Sequence, residues 1–107
     1  MSEFDKRQEG FEKKFALDAE QKFKAEARRN KLLGLWAAEK LGISGDAAAA
    51  YAKEVVAADF EEAGDNDVLK KVLTDLTAKG QAVTERDVRV KMDELLIQAA
   101  AQVKAGT

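Results

Sequence analysis

The sequence predicts an all-α fold, a four-helix bundle preceded by a mobile amphipathic N-terminal segment, and three observations carry that expectation. Proline is absent from the 107 residues while alanine abounds, so nothing breaks a helix as a proline ring would. Apolar residues recur at three- and four-residue spacing, with neither a hairpin turn nor a sustained alternating run. Gly, Ser and Asp stand where the periodic stretches end.

The elements follow in order. Asp18 precedes Gln21 by three residues, as in a capping box, and Gly42 follows a long periodic stretch, so the first bundle helix is placed near 18–41. Its segment Leu32–Leu41 is apolar almost all round. Leu32, Leu35 and Trp36 point away from the side of Phe23, Leu33 and Leu41, which suits a central helix. Asp46 is a cap for a second helix from Ala47 to about Glu62, presenting Tyr51, Val55, Val56 and Phe60 and ended by Gly64. Asp65, Asn66 or Asp67 starts a third, with the stripe Leu69, Val72, Leu73 and Leu76, ending at Gly80. Thr84 with Asp87 opens the fourth, whose Val88, Met92, Leu95, Leu96, Ala99 and Val103 share a face. Short connections favour antiparallel neighbours.

Composition excludes much chemistry. Cysteine and histidine are both absent, which removes disulfides, thiolate or imidazole metal sites and the usual near-neutral base. No enzyme is expected, and no cofactor or metal. A helical enzyme would have to work with carboxylates and lysines alone. There is no run of eighteen apolar residues, and the first fifteen residues are charged throughout, so neither a membrane span nor a secretory signal is expected. The cytoplasm is the expected location. The net charge of −2 argues against a nucleic-acid footprint. Residues 1–31 carry net +2 and residues 32–107 net −4, so the two regions face different surroundings.

The division expected is residues 1–17 as a segment and 18–107 as the bundle. Phe4, Phe11 and Phe15 fall within roughly 40° of one another on a wheel turning 100° per residue. Gly10 lowers the intrinsic helicity by about 1 kcal/mol, which makes this helix marginal in isolation. A competing reading starts the first helix near Glu3 and lays the three rings on the core. The preferred one makes them a helix-in-groove ligand for a protein partner, because four stripes already suffice to close a core.

Other candidate chemistry is sparse. Asp59, Glu61, Glu62, Asp65 and Asp67 cluster around Gly64 without calcium-loop spacing, as a solvated turn would. The seven glycines are dispersed as helix breakers and form no phosphate loop. Arg28, Arg29, Lys31 and Trp36 could hold a nucleotide or small ligand, cations on phosphate and indole on base. The blander alternative is an exposed helix face beside a core tryptophan.

The stretch FALDAEQKFKAEARRNKLLGLWAAEKLG, Phe15 to Gly42, closely resembles the zeta subunit family, inhibitors of the F-type ATP synthase of alpha-proteobacteria. YAKEVVAADFEEAG from Tyr51 and KMDELL from Lys91 resemble the same family, so the likeness spans nearly the whole chain. It implies a four-helix bundle with a mobile N-terminal inhibitory segment that inserts at a catalytic alpha/beta interface, touches the rotor subunit gamma and blocks rotation in the hydrolytic direction. It also implies a cytoplasmic protein peripheral to the inner membrane through the synthase. Carried over by position, the inhibitory residues run from Ser2 to about Leu17. Phe4, Phe11 and Phe15 are the anchors, accompanied by Gln8. Lys6, Arg7, Lys13 and Lys14 are the candidates for acidic surfaces on the enzyme. The rival from another class is a nucleotide or small-ligand binding bundle built on Arg28, Arg29 and Trp36.

Overall fold

The computed structural model describes residues 17–59 and 65–106. Four helices make up the described chain: α1 (Ala19–Leu41), α2 (Gly45–Ala58), α3 (Asn66–Ala78) and α4 (Glu85–Lys104). No strand occurs among the described residues. The four-helix bundle is therefore the fold, and α1 is its centre, packed along its length by α2 on one side and α4 on another.

Helix ends form where the sequence supplies cap chemistry. The Asp18 carboxylate accepts from the Gln21 backbone N–H at 2.7 Å, and the Gln21 side chain accepts from the Asp18 N–H. Thr84 and Asp87 repeat this box at the start of α4. At the far end of α1, Gly42 takes φ +77° and Ile43 N–H reaches back to Ala38 O at 3.0 Å. Gly80 does the same after α3 with φ +88°, and Gln81 N–H bonds Leu76 O. A left-handed residue at this point lets the chain cover otherwise unpaired carbonyls, and glycine adopts it without strain.

Three placements differ from the sequence expectation. α2 starts at Gly45, after Ser44, so Asp46 lies in the first turn rather than at the cap. It ends at Ala58 rather than near Glu62; Phe60 lies outside the described residues. Gly34 is not a helix breaker. It sits buried in the middle of α1, where a Cβ would come within 2.6 Å of the Ala52 Cα. Glycine is required because the two backbones touch there.

The core is built from the expected stripes. Leu33, Tyr51, Val55, Leu69, Val72, Leu76, Val88 and Met92 are buried together, with Trp36, Leu41, Leu73 and Leu95 packed against them. Val56, Leu96 and Val103 are half-buried outside that cluster, and Phe23 departs furthest from the expectation: it is 61% exposed. The antiparallel register that sets Gly34 opposite Ala52 brings the last residue of α2, Ala58, opposite α1 several residues after Phe23. The ring outruns the helix on its side.

Candidate functional site

Phe4, Lys6, Arg7, Gln8, Phe11, Lys13, Lys14 and Phe15 lie outside the described residues. The described chain shows what they are attached to. The bundle begins at the capping box of Asp18, directly after Leu17, and the first two turns of α1 carry the exposed Phe23.

Beside that entrance a polar corner ties three helices together. Asp65 was expected in a solvated acidic turn, yet its side chain is only 13% exposed and lies 2.8 Å from Arg89 Nη1 and 3.6 Å from Arg29 Nη1. It makes no side-chain cap for its own helix; its Oδ2 is instead turned to guanidinium groups from α1 and α4. Arg89 also donates to Asn66, and Arg29 Nε donates to Asn30 Oδ1 at 2.9 Å. An arginine that is 5% exposed is tolerated only when paired in this way. Glu26 stands next to the corner. Burial raises its carboxyl above the usual value, and the charges of Asp59 and Asp65 add to the rise against the lowering effect of Arg29 and Lys22.

A second polar contact joins α2 to α3. Tyr51 donates to Asp75 Oδ2 at 2.8 Å, and Lys71 donates to the same oxygen while lying 5.2 Å from the Tyr51 ring. Burial, then the bond to Asp75, pushes the phenol well above its ordinary value. Tyr51 stays neutral and acts as a donor.

The four residues considered for a nucleotide are not brought together. Arg29 turns inward onto Asp65, while Arg28 is half-buried and reaches α4, its Nη1 3.4 Å from Gln102 Oε1, and Lys31 is exposed. Trp36 lies two turns further on, half-buried, its ring flanked by Lys40 at 5.2 Å and Lys91 at 5.8 Å. No group of three His, Cys, Asp or Glu side chains among the described residues could hold a metal ion, and none of their helices is long and apolar enough to cross a membrane.

Sequence reasoning missed the Asp65 corner and the outward row on α1. The signal for the row was present, since Lys24, Arg28, Lys31 and Leu35 follow i, i+4, i+7, i+11 spacing. The signal for Asp65 was not, because an aspartate in an acidic turn reads as solvated.

The model of the ATPase inhibitor subunit zeta family matches residues 1–102, from the N-terminal segment through the last turns of α4. The chain belongs to the ATPase inhibitor subunit zeta family. The match takes in the N-terminal residues and the bundle alike. A protein whose solution NMR structure is known is similar at 59% identity, over 79% of this chain and 96% of that one, with a TM-score of 0.69. No curated protein matches the chain. Membership in an inhibitor subunit family supports an ATP synthase inhibitor role and suggests a non-catalytic protein.

Proposed function

We propose that this zeta-family chain inhibits ATP hydrolysis by the F-type ATP synthase by inserting its N-terminal segment, residues 1–17, at a catalytic alpha/beta interface beside the rotor subunit gamma, thereby blocking rotation in the hydrolytic direction. The observation that carries the reading is the family match extending from residue 1 to residue 102, which supports taking the segment and the bundle as parts of one inhibitor. Packing supports the division of labour. The described core draws on all four helices α1 to α4, which leaves Phe4, Phe11 and Phe15 to be assigned to a partner. Lys6, Arg7, Lys13 and Lys14, with Gln8, supply polar contacts around them. Ordering a flexible segment costs entropy that three rings offset only in part. A folded bundle attached to the segment keeps it at high local concentration. The protein works in the cytoplasm, peripheral to the inner membrane through the synthase, as a non-catalytic subunit without cofactor.

Removal of residues 1–17 tests this. The remaining chain keeps the Asp18 cap and the whole described core, so helical circular dichroism and cooperative melting should persist while inhibition of ATP hydrolysis is lost. A truncated protein that inhibits as strongly as the intact chain would place the inhibitory surface on the bundle and overturn the proposal.

A further inference from the structure

Charge is unevenly shared among the helices. α1 carries six basic and three acidic side chains, net +3, whereas α3 and α4 are each balanced and α2 is net −1, in a chain of net −2 overall. Part of that positive charge is internal: Arg29 is buried on Asp65 and Lys40 lies beside the Trp36 ring. The rest forms a row. Lys24, Arg28, Lys31 and Leu35 fall within about 60° of one another at 100° per residue, on the side of α1 opposite the buried Leu33. Lys31 and Leu35 are exposed, Leu35 to 39%, and Lys24 is 61% exposed with Glu20 at 3.2 Å. Arg28 is half-buried, its Nη1 3.4 Å from Gln102 Oε1 of α4, so it flanks the row on the α4 side. The row spans about 16 Å at 1.5 Å per residue, or three turns, and begins about two turns after Leu17, the last residue assigned to the inhibitory segment.

We propose that this outward ridge of α1, Lys24, Arg28 and Lys31 with Leu35 at its end, is a second docking surface by which the bundle holds an acidic protein face on the catalytic sector of the ATP synthase. The inference rests on the inhibitory reading above and deepens it by giving the bundle its own contact. Three cations ending on an aliphatic side chain suit an acidic, partly apolar helix surface. Cationic rows of this kind act chiefly by steering encounter and fixing orientation. Because the ridge follows the segment without a linker, engagement of either would present the other at high effective concentration.

The test uses the full chain and the soluble catalytic sector of its synthase, with direct binding and ATPase inhibition measured in parallel. Lys24→Gln, Arg28→Gln and Lys31→Gln combined should raise the concentrations for half-binding and half-inhibition about tenfold at low salt. The difference should shrink as ionic strength rises from about 0.05 to 0.5 M. Lys53→Gln, Lys70→Gln and Lys79→Gln combined make the same change in net charge on exposed positions of α2, α3 and its C-cap, and should stay within about twofold of the unaltered chain. Lys31→Gln alone is the fallback should the triple variant melt early, with an effect of about twofold. Unchanged binding by the folded ridge variants, or an equal loss in the control, overturns the ridge. An unaltered chain that binds without inhibiting removes the inhibitory reading and leaves the ridge to be decided by the binding difference, while one that does not bind overturns both.

Discussion

The two sides of α1 solve the packing problem differently. Toward α2 the seam is made by absence: Gly34 meets Ala52 with backbones in contact, and the fit is steric. Toward α3 and α4 the apolar packing is joined by reach, with Arg29 and Arg89 extending to one carboxylate, Asp65, and at that corner the fit is electrostatic. Arg28 and Arg29, neighbours of one chemistry, both reach the second of these sides, one half-buried on Gln102 of α4 and the other buried on Asp65. Rotation by 100° along the helix is enough to turn a half-buried cation into a buried one. The steric seam should tolerate almost no added volume, whereas the electrostatic corner should tolerate neutral replacement of both partners better than loss of one.

The largest effect is expected at Gly34. Gly34→Val places branched carbons where a single Cβ already meets the Ala52 Cα at 2.6 Å, so the helices must separate. Loss of about 3 kcal/mol or more is expected, seen as a fall in melting temperature of more than about 10 °C. A melting temperature unchanged by this substitution would mean that α1 and α2 are not in backbone contact.

Asp65→Ala comes next, with a loss of about 2–3 kcal/mol in denaturant unfolding, because Arg29 is left buried without its counter-charge. The combined Asp65→Leu and Arg29→Met variant should recover part of that loss, since the more buried arginine is removed with its counter-charge while Arg89, less buried, keeps Asn66. If the double variant is less stable than the single one, the corner works through some other contact.

Glu26 gives the smallest effect, and one of opposite sign. Its carboxyl is raised above 4.5 chiefly by burial, so the ionised form is disfavoured in the folded state and Glu26 weakens the fold at neutral pH. That penalty fades as pH falls through the raised value and is gone below 4.5. Glu26→Gln should therefore stabilise the protein at pH 7 by about 0.5 kcal/mol, a modest figure because the group is half-exposed and screened. The gain should vanish on acidification. Urea titrations of both proteins between neutral pH and about 4 would reveal it, and a destabilised variant at pH 7 would show that the attraction of Arg29 and Lys22 outweighs burial.

Amino-acid order by itself determined the four helices, both capping boxes and most of the core, because these depend on spacing within one helix: Asp18 with Gln21, Thr84 with Asp87, and the stripes of α3 and α4. The likeness at Phe15–Gly42 pointed to the family that the match over residues 1–102 shows. Tertiary structure decided what depends on neighbours distant in sequence. The exposure of Phe23 follows from where α2 stops, the use of Gly34 from the approach of Ala52, and the burial of Asp65 from two arginines brought in from 36 residues before it and 24 after it. Local patterning tells which face of a helix is apolar. Which side chains of the polar remainder turn inward is set by the register in which helices meet, and a charge can be buried only where that register delivers its partner.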